Sequence, residues 1–143
     1  METARRFWDW MEQTQRLATG GYGLQYEWLL PAEEIVDYMQ TTHNTSETQC
    51  TSYAAVNLDN RLMCYTADAS YGQWTEDIFY NMTIGSLETK DGKADYYSDY
   101  NTRGGTKHVR DDWAWACCAG TRPLVVMEYL KSIYFHDTEN LYV

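Results

Sequence analysis

The sequence predicts a mainly α-helical fold that carries a small β-hairpin. Apolar residues recur at spacings of three and four in four segments, which is the periodicity of amphipathic helices. Strand character is confined to short stretches near residues 96–98 and 141–143. With 143 residues and 44% hydrophobic content, the chain can form one domain or part of a larger one, and a disordered polar tail is excluded.

The first helix is predicted over residues 3–17, and the glycine-rich segment 19–23 ends it. Its apolar stripe comprises Phe7, Trp10, Met11, Thr14 and Leu17. Residues 24–46 are predicted to be irregular, apart from a short turn at 32–39. A loop of this length inside a compact domain is typical of a functional segment.

Three more helices are predicted along the chain. The second is capped by Thr45 or Ser46 and runs to about Thr66. Its inward residues are predicted to be Tyr53, Ala54, Leu58, Leu62 and Tyr65. The third begins at Asp68 and includes Tyr71, Trp74, Ile78, Phe79 and Met82. The fourth is capped by Thr121, has Pro123 in its first turn, and ends near Tyr134 after Leu124, Met127 and Leu130.

The remaining segments are turn-rich. Lys90–Lys93 can close a hairpin beside a strand at 96–98, and residues 113–118 are predicted to form a loop. Leu141–Val143 has strand character at the very end of the chain, so we expect these residues to begin a strand of a following unit. The chain is therefore expected to be a fragment of a larger domain.

Composition narrows the function classes. Eleven Lys and Arg face 21 Asp and Glu, a net charge of −10 that makes nucleic acid and anionic membranes unexpected partners. No run of about 18 apolar residues is present, so no membrane span is predicted. Thirteen Tyr and six Trp favour a polar cleft, and carbohydrates are typical ligands of such clefts. No signal peptide is predicted in this chain, and its compartment stays open.

The cysteines predict a metal site. Four cysteines are too few for a disulfide scaffold, and the adjacent pair Cys117–Cys118 is poorly suited to a disulfide. Glu47, Cys50 and this pair lie at two helix starts, and three thiols with a carboxylate match the ligands that zinc prefers. The alternative is that these cysteines fill space in the core, which is the interpretation we favour for Cys64.

A series of motifs resembles a known family. The chain is similar to the bacterial β-L-arabinofuranosidases of glycoside hydrolase family 127. The resemblance is carried, in order, by Thr19-Gly-Gly-Tyr-Gly23, Thr42-His-Asn44, Glu47-Thr-Gln-Cys50, Tyr71-Gly72, Tyr80-Asn81, Asp91-Gly92, Tyr97-Ser-Asp-Tyr100, Cys117-Cys-Ala-Gly-Thr121 and Ile133-Tyr-Phe135.

The resemblance implies a fold and an activity. It implies that residues 1–143 are a central fragment of an (α/α)6 barrel, or toroid, and that their end could be the start of a following β-sandwich. It implies a retaining glycosidase with a zinc-bound cysteine nucleophile. The substrate would be a β-L-arabinofuranoside or a related plant cell-wall sugar.

The resemblance also implies roles for individual residues. Cys117 matches the nucleophile, and Glu27 matches the general acid/base, with Glu33 and Glu34 as rivals. Tyr97 matches a tyrosine that reaches the nucleophile's sulfur or the sugar, and His43 is a further candidate for sugar contact. The Zn²⁺ ligands would be Glu47, Cys50, Cys117 and Cys118, although Glu47 lies three positions before Cys50, where the family pattern has two.

Two other hypotheses stay open at this point. The chain could be a non-catalytic fragment, either a zinc-stabilised helical piece or a carbohydrate-binding unit without turnover. The cysteines could also serve a structural zinc site or redox chemistry in an unrelated fold. Because a partial toroid would expose apolar helix faces, we also expect self-association of the isolated chain.

Overall fold

The computed structural model describes residues 1–24, 27–42, 46–85, 97–98, 107–108 and 117–142, which are mainly helical. The α-helices among them are α1 (Glu2–Thr14), α2 (Ala32–Thr41), α3 (Gln49–Thr66), α4 (Ser70–Asp77) and α5 (Cys117–Ser132). A π-helical segment, Ile78–Ile84, continues α4. The strands are β1 (Ser46–Thr48), β2 (Tyr97–Ser98), β3 (Lys107–His108), β4 (Phe135–His136) and β5 (Leu141–Tyr142). None of the helices in these ranges has the length and apolarity needed to cross a bilayer.

Helix α3 is the centre of the fold, because α1, α4, α5 and the π-helical segment all pack against it. Val56 and Leu62 of α3 are almost fully buried. Val56 packs with Met11, Trp74, Ile78 and Val125, whereas Leu62 lies in a second cluster with Met63 and Tyr71. The two ends of α3 therefore have different neighbours, and its N-terminal end is where the candidate site forms.

Helix α1 presents a different face to the core from the one predicted. Met11 is buried, but Phe7 and Trp10 are 46% and 41% exposed, and the helix ends before Leu17. Trp8 points inward instead and makes edge-to-face contacts with Tyr71 and Trp74. The predicted stripe left out Trp8, which packs against both core clusters and whose indole N–H donates to the buried Asp59 at 2.5 Å.

The described part of segment 24–46 contains a helix longer than the predicted turn. A ten-residue helix, α2, stands where a short turn was expected at 32–39. No residue of α2 is buried, and Val36 is 62% exposed, so the helix contributes little to the core. A helix that buries no side chain needs no apolar stripe, which is why the sequence of this segment did not predict a full helix.

Helix α3 begins later than predicted, and its buried face is shifted by one position. Its N-cap is Thr48, where Thr45 or Ser46 was expected, and Ser46 lies in β1. The predicted inward residues Ala54 and Tyr65 are exposed. The buried face of α3 comprises Thr51, Ser52, Ala55, Val56, Asp59, Leu62 and Met63. Polar residues with hydrogen-bond partners in distant segments occupy part of this face, which a hydrophobic pattern does not reveal.

Helices α4 and α5 confirm the predicted helical segments with changed bounds. Helix α5 begins at Cys117, so Pro123 lies inside the helix and outside its first turn. Thr121 is not the cap, because its hydroxyl donates to the carbonyl oxygen of Cys117 at 3.1 Å. The three apolar residues that the prediction named in α5 are exposed, Leu124 to 44%, Met127 to 52% and Leu130 to 56%, and Val125 is buried in their place. Cys64, expected in the core, is exposed as well.

The strands form two small antiparallel sheets. In the first, β2 pairs with β1 and with β3, which aligns Ser46 with Ser98. In the second, β4 pairs with β5, and Phe135 lies opposite Tyr142. The predicted strands near 96–98 and 141–143 are thus confirmed, while the predicted turn at 90–93 lies outside the described residues. The mainly α class is confirmed, and the (α/α)6 toroid stays a prediction.

A buried carboxylate links three helices. Asp59 of α3 is fully buried and accepts hydrogen bonds from Trp8 of α1 and from the Thr75 hydroxyl of α4, the latter at 3.0 Å. Burial raises the pKa of Asp59 to about 7, and the two hydrogen bonds and the charge of Arg16 oppose this rise. Asp59 therefore ionises near neutral pH in the folded chain.

We expect Asp59→Asn to flatten the pH dependence of stability. The folded pKa of about 7 exceeds the unfolded value of 3.8, so the stability contributed by the protonated group is fully present below about pH 4 and is lost as pH rises to about 7. One pKa unit corresponds to about 1.4 kcal/mol, so the loss can reach about 4 kcal/mol. Urea unfolding of both proteins between pH 4 and pH 8 measures it. Parallel curves for the two proteins would contradict the assignment.

Candidate active site

The N-terminal ends of α3 and α5 bring four chemically reactive side chains together. The sulfur atoms of Cys50, Cys117 and Cys118 and one carboxylate oxygen of Glu27 all lie within 4.8 Å of one another. Cys50 lies in the first turn of α3, and the other two cysteines open α5. Glu27 lies in the loop between the glycine-rich segment and α2. The long-range packing of α3 against α5 therefore creates this group.

The thiols are in direct contact and only partly reach solvent. The sulfur atoms of Cys50 and Cys118 are 3.7 Å apart, and the Thr121 hydroxyl lies 3.6 Å from the sulfur of Cys50. Cys118 is buried, whereas Cys50 and Cys117 are half-buried. The cluster therefore has one covered side and one accessible side.

Burial makes the thiol form of two cysteines favourable. It raises the pKa of Cys50, which the Thr121 hydroxyl partly opposes, and it also raises the pKa of Cys118. A thiolate is the form that acts as nucleophile or metal ligand. The helix dipoles at these N-termini favour thiolate only modestly, so a positive charge among the sulfurs is needed to hold these two cysteines ionised.

The donor set fits a zinc ion. Zinc binds thiolates at about 2.3 Å in a tetrahedron, which places two sulfurs about 3.8 Å apart. The separation of 3.7 Å between Cys50 and Cys118 agrees with that edge. Three thiols with one carboxylate oxygen in mutual reach supply the soft and borderline ligands that zinc prefers. The described part of the chain thus contains a Cys/Glu cluster that could hold a metal ion.

Glu47, expected as the carboxylate ligand, is not a member of this group. Its side chain is 2% exposed, and its carboxylate accepts a hydrogen bond from the hydroxyl of Thr19. The carboxylate beside the thiols is that of Glu27, which the sequence suggested for a different role. The ligand role of Glu47 stays a prediction.

Glu27 lies in an unusual backbone conformation beside the thiols. Its φ of 80° is in the left-handed region, which residues other than glycine rarely adopt. Its side chain is exposed, and its carboxylate accepts a hydrogen bond from the Thr48 hydroxyl at 3.3 Å. The rivals Glu33 and Glu34 lie in the first turn of α2, are exposed, and do not belong to the thiol group.

The expected sugar contacts are described in part or not at all. Tyr97 lies in β2 opposite Thr48, so its backbone runs beside the N-cap of α3. His43 lies outside the described residues. Thr48 contacts Glu27, and Thr121 contacts Cys50. Neither threonine was predicted as a site residue, because threonines at helix starts commonly serve as caps.

Comparison with known families identifies the chain's relatives. The family model described as beta-L-arabinofuranosidase, GH127 catalytic domain, matches residues 1–129. The chain belongs to this family. The comparison with curated proteins found no match. Membership of the GH127 family indicates a glycoside hydrolase with a carbohydrate substrate, and it confirms the resemblance found in the sequence motifs.

A separate cavity of about 800 Å³ lies at the other end of α3 in the GH127 chain. Its lining comes from the end of α3, from α4, from the end of α5 and from β4 and β5, and includes Cys64, Phe135 and Asp137. None of the four members of the thiol group lines it. This cavity is therefore distinct from the candidate active site.

We expect the GH127 chain to retain one zinc ion after exhaustive buffer exchange and to lose it when Cys118 is replaced. Cys118→Ser removes a buried donor, so zinc affinity should fall at least about 100-fold, beyond the range for loss of an outer partner. Elemental analysis and a chelator competition measure this. Cys64→Ser is the matched control, because Cys64 is exposed and outside the group. Equal zinc contents in the two variants would refute a thiol-bound metal.

Proposed function

We propose that this chain carries the thiol centre of a retaining glycoside hydrolase acting on β-L-arabinofuranosides or related plant cell-wall sugars. One observation supports the mechanism beyond family membership: a carboxylate oxygen of Glu27 lies within 4.8 Å of the sulfur of Cys117. Retaining glycosidases place the nucleophile about 5 Å from the general acid/base. The distance between Cys117 and Glu27 therefore suits a mechanism in which the thiol is the nucleophile and the carboxyl group is the acid/base.

In the proposed first step, the sulfur of Cys117 attacks the anomeric carbon. A C–S bond forms as the glycosidic C–O bond breaks, and Glu27 donates its proton to the leaving oxygen. In the second step, Glu27 takes a proton from water while the water oxygen bonds to the anomeric carbon and the C–S bond breaks. Glu27 is exposed, which leaves room for a leaving group and for water.

Cys50, Cys117 and Cys118 would hold the zinc ion, which supplies the positive charge that keeps these sulfurs as thiolates at neutral pH. The contact between the sulfurs of Cys50 and Cys118 also fixes the start of α5, and with it Cys117, against α3. The Thr121 hydroxyl, 3.6 Å from Cys50, orients that sulfur. Tyr97 and His43 are proposed to contact the sugar, and the helices are proposed to belong to an (α/α)6 toroid.

A second candidate function follows from the same four donors. If Glu27 were a fourth zinc ligand, the site would be a closed Cys3Glu centre without an open position, which is typical of structural zinc. The chain would then be a zinc-stabilised helical or carbohydrate-binding unit without turnover. The exposed conformation of Glu27 favours the catalytic assignment over this one.

We expect Cys117→Ala to reduce hydrolysis of an aryl β-L-arabinofuranoside at least about 1,000-fold, since losing a covalent nucleophile has effects of that order or larger. Cys64→Ala is the matched control and should retain wild-type rates, because Cys64 lies outside the thiol group. Steady-state kinetics on the full chain measure this. Turnover retained in Cys117→Ala would overturn the cysteine mechanism, and zinc binding without any turnover in the wild type would favour the second candidate.

We expect Glu27→Gln to slow substrates with poor leaving groups far more than substrates with dinitrophenyl leaving groups, which depart without protonation. The difference should be at least about 100-fold in kcat/KM, the usual contribution of general acid catalysis. Glu33→Gln is the control, since that glutamate is exposed in α2 and outside the thiol group. An equal loss on both substrates would exclude Glu27 as the acid.

A further inference from the structure

We propose that Trp28 is a substrate-contacting residue that binds the leaving group, and that its indole favours leaving groups that are themselves neutral sugar residues. The inference rests on the proposed acid/base role of Glu27, and it deepens the proposed function by naming what lies beyond the bond that is cleaved. Its test includes binding measurements that stand apart from turnover.

Trp28 differs from the other tryptophans that the structure describes. Trp8 and Trp74 donate their indole N–H groups to acceptors inside the fold, and Trp10 lies against a neighbouring phenylalanine ring. Trp28 is 68% exposed, and within the described ranges its indole has neither a hydrogen-bond partner nor a ring contact. Tryptophan is highly buried on average in folded proteins, so an indole left open in this way is unusual for a purely structural residue.

The backbone of Trp28 is held in place although its side chain is exposed. Leu24, which is buried, and Trp28 exchange two backbone hydrogen bonds of 3.0 and 2.8 Å. Two residues further on, the carbonyl oxygen of Leu30 accepts a hydrogen bond from the side-chain amide of the buried Gln15 at 3.0 Å. An aromatic residue fixed on both sides loses little conformational freedom when a ligand packs on it, and this favours affinity.

The glycine-rich loop that leads into this turn is anchored to the core. The indole N–H of Trp74 donates to the carbonyl oxygen of Gly20 at 2.6 Å. The Thr51 hydroxyl of α3 donates to the carbonyl oxygen of Tyr22 at 2.8 Å. The turn that carries the proposed acid/base and the exposed indole therefore starts from a fixed point.

Trp28 directly follows the proposed general acid in the sequence. Consecutive Cα atoms are about 3.8 Å apart, and a carboxyl group that gives its proton to the leaving oxygen comes within about 3 Å of that oxygen. A leaving group whose oxygen meets Glu27 therefore lies within reach of the indole on the next residue. In the proposed mechanism Cys117 meets the anomeric carbon of the cleaved sugar, so Trp28 is assigned to the part of the substrate that departs.

The charge of this segment favours one chemical class of leaving group. Residues 17–60 contain no Lys or Arg, whereas Glu27, Glu33 and Glu34 are exposed in the same segment. A uronate, sulfate or phosphate would find no counter-charge in this segment and would be repelled by these carboxylates. A neutral sugar avoids that cost, and its C–H face can pack on the indole while a hydroxyl accepts from the indole N–H.

The first experiment compares kcat/KM of Trp28→Ala on two substrates, a disaccharide in which β-L-arabinofuranose is linked to a second L-arabinofuranose, and methyl β-L-arabinofuranoside. Because kcat/KM covers every step up to the departure of the leaving group, contacts with that group appear in it. We expect a fall of about 10-fold on the disaccharide, the size of one aromatic contact, and of less than about twofold on the methyl glycoside. Trp28→Phe keeps a ring and should recover most of the loss.

Tyr65→Ala is the matched control, because Tyr65 is an exposed aromatic residue at the opposite end of α3 from the thiols. It should leave kcat/KM on both substrates unchanged. Equal losses on both substrates in Trp28→Ala would assign Trp28 to the position of Glu27 or to the fold, and unchanged rates on both would show that the leaving group does not contact it. Either result overturns the proposal.

A third substrate tests the selection by charge. With a uronic acid in place of the leaving sugar, kcat/KM of the wild type should be at least about fivefold lower than on the neutral disaccharide at low ionic strength, and added salt should reduce the difference. Equal values for the two disaccharides at low salt would overturn the preference for neutral sugars.

The second experiment measures binding without turnover. Isothermal titration with the neutral disaccharide and with the methyl glycoside compares Cys117→Ala with the double variant Cys117→Ala/Trp28→Ala. We expect the Kd of the disaccharide to rise about 10-fold when the indole is removed, and the Kd of the methyl glycoside to change less than about twofold. The Phe variant replaces the Ala variant if the latter does not fold, with a smaller rise expected. An unchanged Kd for the disaccharide in the double variant would overturn the proposal.

The tests distinguish failure of this inference from failure of the proposed function. If Cys117→Ala retains turnover, the cysteine mechanism fails, while the two-substrate comparison still decides whether Trp28 contacts the leaving group. If the wild type binds the disaccharide without turnover, titration of the wild type and of Trp28→Ala decides it. If Cys117→Ala abolishes turnover but Trp28→Ala affects both substrates equally, the mechanism stands and the role of Trp28 is rejected.

Discussion

The close approach of the glycine-rich loop to the first turn of α3 is the contact on which the site depends. A Cβ on Gly20 would lie 2.8 Å from the backbone nitrogen of Ile78, and one on Gly21 or Gly23 would meet Glu47 or Thr51 at less than 3 Å. Glycine also permits the positive φ values of 90° and 88° at Gly20 and Gly23. Glycine at these three positions therefore lets the backbone pass between these elements and brings Glu27 to the thiols.

The meeting of two helix N-termini gives the site its chemistry. Helix α3 has Cys50 in its first turn, and α5 begins with Cys117 and Cys118. The packing of the two helices brings the sulfurs of Cys50 and Cys118, which are 68 residues apart in sequence, to 3.7 Å. Burial of these sulfurs favours the neutral thiol, and a cation would favour the thiolate. Metal binding and the packing of α3 on α5 are therefore coupled: a cation among the sulfurs would stabilise the helix contact, and the helix contact arranges its ligands.

The two glutamates proposed for the site have different surroundings. A carboxylate oxygen of Glu27 lies within 4.8 Å of the three sulfurs, whereas the buried carboxylate of Glu47 accepts a hydrogen bond from Thr19. Glu27 is exposed, so its carboxyl group can meet a ligand from solvent. The acid/base role of Glu27 and the ligand role of Glu47 both stay predictions.

The sequence by itself determined the helical class, the approximate positions of α1, α3, α4 and α5, the short strands and the grouping of three cysteines, because these follow from local periodicity and from residue chemistry. It did not determine which faces are buried: Trp8, Ser52 and Asp59 face inward because their hydrogen-bond partners lie in other parts of the fold. Nor did it determine which glutamate meets the thiols. That choice depends on how the glycine-rich loop packs on α3, and only the tertiary structure decides such a long-range contact.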